Sequence, residues 1–454
     1  MRYYSSIPAL VVTHLYDHQS TMSQLLRSTL VALLFCSASA AHACTFFKIT
    51  KDGKSIIGNN EDAWSINARV RFVNGGPGQY GAVYFAHYNG SPMRQPIDQG
   101  GMNSEGLVFD GLSVEETEIS RRPNTRITDF ATLMPMIMHT CATMFEAEKI
   151  IRIYTIPTLG HAIVVLVDRN GDYLVAEGDT LYTGNDATYA LGNFRMSRCV
   201  DLDAVPIERY QNGRAMLSDN ANISIAFGTS VLDKMAARRG AHDERAGLTG
   251  TLYSNVYDPL NGVVHLYFYH DYNSVRSFNV NEELAKGDHE LDMASFFPRN
   301  ADYEKLVAYR TPFHQRWLFY SLVAFAGMTG IIMLYCAIGL LCRSIARIRG
   351  ASTTGTYALL TMSLSGAVVL IAIPILLLNE GVYYFGFGYA TDAVSAILKY
   401  IPALSCLLML GLIFFAYRAW QSDQPFAYRW FLMLNTSITV LMVGLFVYWG
   451  MLIP

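Results

Sequence analysis

The most constraining feature lies in the last third of the chain. From Trp317 to Leu341 there are 25 consecutive residues without a formal charge. Thr356–Leu378 adds 23 more and Trp430–Ile453 another 24. The stretch 396–417 carries only Lys399, near one end, where a long stem lets the ammonium reach an interface. Each run is long enough to cross a hydrocarbon core about 30 Å thick. The sequence therefore predicts four transmembrane helices, at about 317–341, 356–378, 396–417 and 430–453, in a membrane domain spanning 311–454. Composition agrees: 52% of residues are hydrophobic and 16% charged, against about 25% charged in soluble proteins. The net charge of −3 shows no basic surplus pointing to nucleic acid. Apart from Lys399 the spans hold no ionisable residue, which argues against a pump or an ion-coupled transporter.

Loop charge orients the bundle. The first connection holds Arg343, Arg347 and Arg349, and the third holds Arg418 and Arg429. The second holds Glu380 and Asp392. The first and third connections are expected on the cytoplasmic side, leaving the N-terminal part outside. The other end of the chain points the same way. Arg27, the apolar run Leu30–Cys36 and the small residues of Ala41-His42-Ala43 read as a secretory signal with cleavage after Ala43. Residues 1–43 are expected to be a leader whose true start is Met22. The expected location is a multi-pass cell-membrane protein with residues 44–310 periplasmic.

Residues 44–310 have a mixed texture. Strands are predicted over 45–50, 55–58, 82–87, 107–112, 161–167, 172–177, 251–257 and 263–270. The turn signals Lys51-Asp52-Gly53, Arg169-Asn170-Gly171 and Asp258-Pro259-Leu260-Asn261-Gly262 join three pairs of them. Helical spacing marks 127–140, 143–154, 205–217 and 223–237. Strands and helices occur in blocks, so the expected class is layered α+β rather than alternating βαβ units.

Cleavage after Ala43 makes Cys44 a chain terminus. Such a cysteine carries a thiol and an α-amine on one residue, and the amine can take the thiol proton near neutral pH. Two other fates compete, acylation as a lipoprotein cysteine and burial as an ordinary small apolar residue. Downstream lie Gly58-Asn59-Asn60-Glu61-Asp62, then Asn103 in Gly-Met-Asn-Ser-Glu-Gly, then Asn193 in Leu-Gly-Asn-Phe-Arg. Each asparagine alone is a good turn former.

In combination these segments resemble the choloylglycine hydrolase and penicillin V acylase family of N-terminal nucleophile hydrolases, over most of 44–280. The resemblance implies a four-layer αββα fold, hydrolysis of linear non-peptide amide bonds, and neither cofactor nor metal. It makes Cys44 the nucleophile and α-amine base, Asp62 the residue orienting that amine, and Asn103 and Asn193 the donors to the oxyanion. Asn59, Asn60 and Trp64 are the residues expected to meet substrate. Asn59 stands where the family keeps an arginine near the thiol, which puts bile-salt specificity in doubt. A second family arginine has no clear match, and Arg195, Arg198, Arg209 and Arg214 are the candidates. The expected partners are a small N-acyl amide and the lipid bilayer, with oligomerisation left open. Two other readings stand beside hydrolysis, a weakly active or inactive ligand-binding sensor or scaffold of the same fold, and an acyltransferase.

Overall fold

A computed structural model of the chain describes residues 44–88, 96–121, 123, 125–220, 222–237, 250–350, 355–387 and 398–452. The leader 1–43 lies outside the described residues. The chain divides into two compact units, with the break between Arg316 and Trp317.

The first unit is built on two antiparallel sheets. One has six strands: β1 (Thr45–Lys51), β2 (Lys54–Asp62), β12 (Thr188–Leu191), β13 (Thr251–Asp258), β14 (Val263–Phe268) and β15 (Asp271–Asn279), in the order β12-β1-β2-β13-β14-β15. The other has eight: β3 (Ala68–Val73), β4 (Ala82–Tyr88), β5 (Pro96–Asn103), β6 (Val108–Ser113), β9 (Ala162–Val167), β10 (Tyr173–Glu177), β11 (Thr180–Gly184) and β16 (His289–Asp292), in the order β11-β10-β9-β6-β5-β4-β3-β16. A small parallel pair, β7 (Arg126–Ile127) and β8 (Tyr154–Thr155), stands apart.

Local chemistry explains the joints. β1 turns into β2 through Asp52 and Gly53, with φ of +52° and +73°. That is the two-residue hairpin whose backbone matches strand twist, and it places Lys51 opposite Lys54. Asp129 caps the helix Phe130–Thr140. Thr143 and Glu146 form a reciprocal capping box on Met144–Ile151.

Helices Glu208–Asn220 and Ile225–Met235 cover the outer face of the six-stranded sheet through Phe47, Ile49, Ile56, Val256 and Tyr267. Helices Phe130–Thr140 and Met144–Ile151 cover the outer face of the eight-stranded sheet through Tyr84, Leu107, Phe109, Leu166 and Leu174. The inner faces meet where the Phe85 ring lies 6.1 Å from Tyr253 and 6.0 Å from Tyr257. The layers run helix, sheet, sheet, helix.

Sequence reasoning stopped β2 at Gly58, but the strand continues to Asp62. Asn59, Asn60 and Glu61 are strand residues buried on both faces, so their polarity hid the strand. β3, β5, β12, β15 and β16 were also not anticipated.

The second unit holds four helices, Arg316–Ile348, Thr356–Leu378, Ile401–Trp420 and Phe426–Tyr448, all long and apolar enough to cross a membrane. The first runs seven residues past its expected end at Leu341, since Arg343 and Arg347 are good helix formers and suit a helix C-terminus. The third starts later than expected, at Ile401, with Pro402 in its first turn. Asn435 Nδ2 donates to Met362 O (3.2 Å), Ser365 and Thr439 share a 2.7 Å hydrogen bond, and Tyr335 stacks on Phe431 at 4.3 Å. Such polar and ring contacts tie apolar helices together where no water drives association.

Gly58 lies opposite Phe47, and a Cβ there would sit 2.2 Å from the Phe47 ring. Gly58→Ala is expected to destabilise the first unit by about 1–3 kcal/mol through overpacking. A lowered melting temperature of the purified protein, restored by adding Phe47→Leu, checks this.

Candidate active site

Strand alternation sets the site. In β1, Phe47 and Ile49 belong to the cluster under the outer helices, so Phe46 points to the interior between the sheets, and Cys44 continues that face. β1 pairs Thr45 with Asn60 and Phe46 with Leu191. Continued by one residue, the β1–β2 register sets Glu61 beside Cys44, while β12 ends at Leu191 and turns through residues 192–194. Cys44 is 5% exposed.

Its surroundings are acidic. Glu61, Asp62 and Asp110 are the charged groups that act on the Cys44 thiol. Asp110 reaches in from β6 of the other sheet. Its Oδ1 accepts from Asn59 Nδ2 (2.8 Å), and Asn59 Oδ1 accepts from Asn255 Nδ2 (3.1 Å). Burial pushes the thiol well above its usual range, and Glu61, Asp62 and Asp110 push it further. Glu61 and Asp110 are themselves driven up, first by burial. Tyr253 and Tyr257 close the site and are fully buried. The thiol is therefore held neutral, the opposite of the cation-assisted environment that activates cysteines.

The expected residues have the following surroundings. Asn193 follows β12, where its Nδ2 donates to Ser113 O at 2.5 Å and its Oδ1 is buried without a hydrogen-bond partner among the described residues. The Asp62 carboxylate faces the helix layer, where Oδ1 accepts from Thr251 Oγ1 (2.6 Å) and Oδ2 from Arg209 (2.5 Å). Burial raises the Asp62 carboxyl while Arg209 and Thr251 oppose the shift. Among the four candidate arginines, Arg209 is the one at this site. Arg195 holds the carbonyls of Glu115, Leu159 and Gly160, Arg198 meets Glu115 and Thr117, and Arg214 pairs with Asp203.

Asn103 is not where an oxyanion donor is needed. It pairs with Ala82 on the helix-covered face of the eight-stranded sheet. Its Nδ2 donates to Met138 O (2.9 Å) and Cys141 O (2.7 Å), and its Oδ1 accepts from Glu105 and Leu107 N–H. Its backbone N–H goes to Leu107 O (3.0 Å). Every donor closes a turn or a helix end. Asn60 is likewise turned outward, with its amide bonded to Thr45 Oγ1, Leu232 O, Ser254 and Tyr272. It braces the helix layer and has no donor left for substrate. Asn59 faces the site as a brace for Asp110, and Trp64 lies half-buried just beyond β2.

Sequence reasoning missed Glu61, Asp110, Asn255 and the partner role of Arg209. Asp110 left a signal, being a lone acid inside the apolar strand Val108–Ser113. Among the described residues no group of His, Cys, Asp and Glu is placed to share a metal ion. Cys141 and Cys199 are free thiols. A cavity of about 490 Å³ lies elsewhere, lined by Tyr189, Leu202, Tyr210, Gln211, Arg214 and Ser218, and includes none of the site residues.

No protein-family profile and no curated protein matches the chain. Solved structures similar to it include a variant of the conjugated bile acid hydrolase from Clostridium perfringens, at 15% identity and a TM-score of 0.44, over 57% of this chain and 99% of that one. A cysteine-to-alanine mutant of the same hydrolase gives 14% and 0.43, over 57% and 97%. Penicillin V acylase from Agrobacterium tumefaciens gives 15% and 0.39, over 55% and 86%. Similarity at this level leaves the activity to the geometry of this chain.

Two outcomes follow from the geometry. Glu61→Gln removes a negative neighbour, so alkylation of Cys44 by iodoacetamide should begin at lower pH than in the parent, read by peptide mass against the other cysteines. An unchanged or raised profile would contradict the assigned cause. Asn103→Ala strands several buried backbone groups, so stability should fall by about 2–3 kcal/mol. Retention of the parent melting temperature with a lost activity would instead restore Asn103 as an oxyanion donor.

Proposed function

We propose that the chain is a membrane-anchored amide hydrolase whose nucleophile is Cys44, exposed as a new N-terminus by cleavage after Ala43. The observation that carries this reading is the position of Cys44. It directly precedes an interior strand of the six-stranded sheet, beside Glu61 in the β1–β2 register and buried between the sheets. Cleavage there adds an α-ammonium beside carboxyl groups, and an adjacent positive charge draws a thiol pKa down. The neutral thiol of the uncleaved chain becomes the activated thiol of the cleaved one.

The steps follow from those groups. The α-amine takes the thiol proton, and sulfur attacks the amide carbonyl carbon. A C–S bond forms and the carbonyl oxygen becomes an oxyanion. The Asn193 amide is the proposed donor to it, and one such donor contributes about 2.7–4 kcal/mol. Collapse breaks the C–N bond, and the leaving amine takes the proton from the α-ammonium. Water then attacks the thioester, releasing the carboxylic acid and restoring the thiol. The scheme uses no cofactor or metal. Substrates are N-acyl compounds with an apolar acyl part, such as acyl amino acids or acyl-homoserine lactones, with Trp64 as a contact for that part. The first and third connections of the bundle face the cytoplasm, and the hydrolase unit lies in the periplasm.

One observation favours a second reading. Asn59 stands in the place of an arginine, and the residues acting on the thiol are acids without a cation among them. A chain that is never cleaved would keep an inert thiol and act as a binding sensor or scaffold.

N-terminal sequencing of membrane-purified protein should find Cys44 first, with a free amine. Cys44→Ala should abolish release of acid from an N-acyl panel, a loss of at least about a thousandfold. Added acceptor amines separate transfer from hydrolysis. A retained leader, or a lipid-blocked Cys44 amine, would leave the sensor reading standing.

A further inference from the structure

Glu61 and Asp110 lie on the inner faces near Cys44, and Asp62 on the helix side, and their positive partners are unevenly shared. Asp62 has Arg209 and Thr251. Glu61 and Asp110 have no lysine, arginine or histidine among the groups that act on them. Both are almost fully buried, at 3% and 0% exposure. Glu61 Oε2 and Asp110 Oδ2 lack any hydrogen-bond partner among the described residues, and so does Asn255 Oδ1 on the adjoining strand. The chain Asn255–Asn59–Asp110 uses Asp110 Oδ1 and leaves the second oxygen open. These three open atoms are acceptors, and the Tyr257 hydroxyl at the same site is also without a partner among the described residues. An acceptor buried without a donor costs about 1–3 kcal/mol, and more when charged.

Burial favours the protonated forms of Glu61 and Asp110, and Asp110 pushes Glu61 further. Cleavage at Cys44 supplies one α-ammonium, enough to offset one carboxylate. A second cation beside the pair lets both carboxyls ionise. Asn59 donates a neutral amide to Asp110 and supplies no cation.

We propose that the Glu61–Asp110 pair selects substrates that carry a positive charge, an ammonium or guanidinium group within a few bonds of the amide attacked by Cys44. The inference deepens the hydrolase reading and rests on it for the word substrate. The recognition itself is electrostatic. A cationic head supplies N–H donors to Glu61 Oε2 and Asp110 Oδ2 and neutralises the pair. A carboxylate or sulfonate head meets like charge once the pair is ionised. The charge could sit on the leaving amine or on the acyl part, and the two sources share this chemistry.

The first test does not depend on turnover. Full-length protein is treated with 2-aminoethyl or 2-sulfonatoethyl methanethiosulfonate, and the modification of Cys44 is followed by peptide mass. Rates are normalised to those on a small free thiol. Cys44 should favour the cationic reagent by roughly tenfold or more beyond that reference, in the range of electrostatic steering. The preference should fall several-fold in Glu61→Gln and in Asp110→Asn. Glu61→Gln preserves size and hydrogen-bonding capacity, which covers the case in which Asp110→Asn does not fold. Equal rates, an anionic preference, or a preference unchanged in the folded variants would overturn the proposal.

The second test uses turnover. Matched decanoyl amides of ethylenediamine, ethanolamine and glycine place a positive, neutral or negative group on the amine side. The p-nitroanilides of 6-aminohexanoic and hexanoic acid place the positive charge on the acyl side or omit it. The cationic member of one series should have the highest kcat/KM, with its advantage lost in Glu61→Gln. A neutral or anionic member ranking first would overturn the proposal. Cation-selective labelling with no hydrolysis of any amide supports the charge site and overturns the hydrolase reading instead.

Discussion

The first unit is organised around two carboxyl groups buried where its sheets face each other. Glu61 comes from the six-stranded sheet and Asp110 from the eight-stranded one, and among the described residues no lysine, arginine or histidine acts on either. Desolvation makes such a pair costly, so the structure braces it. Asn59, itself held by Asn255, holds one Asp110 oxygen, and Gly100 lets the neighbouring strand approach. A Cβ at Gly100 would lie 3.0 Å from Asp110 Oδ1. Both carboxyls help raise the Cys44 thiol.

The segment Gly58–Asp62 divides its labour between two faces. Asn59 and Glu61 point between the sheets and belong to the site. Asn60 and Asp62 point to the helix layer, where Leu232, Thr251, Tyr272 and Arg209 receive them. The same strand therefore anchors the layer that covers it and supplies the groups around the thiol. Asn103 is a parallel case on the other sheet, a buried amide spent on a helix end and a turn.

The second unit has its own internal logic. Asn435, Ser365 and Thr439 are polar residues in apolar helices, and each finds a partner on a neighbouring helix. These contacts make it a packed bundle.

Much of this organisation was legible in the residues themselves. Uncharged runs of 23 to 25 residues leave few alternatives to apolar spanning helices. Asp52-Gly53 and Asn170-Gly171 marked hairpins because only certain residues tolerate positive φ. The helices around Phe130–Thr140 and Ile225–Met235 announced themselves by spacing. What the residues could not disclose was direction. Period-two alternation turns Asn60 and Asn103 away from the thiol and Glu61 toward it, and alternation is readable only once the strand's extent and its buried face are known. The approach of Asp110 to Cys44 joins residues 66 positions apart on different sheets. Only the packing of one sheet on the other creates that contact, because burial, not sequence proximity, brings the charges together.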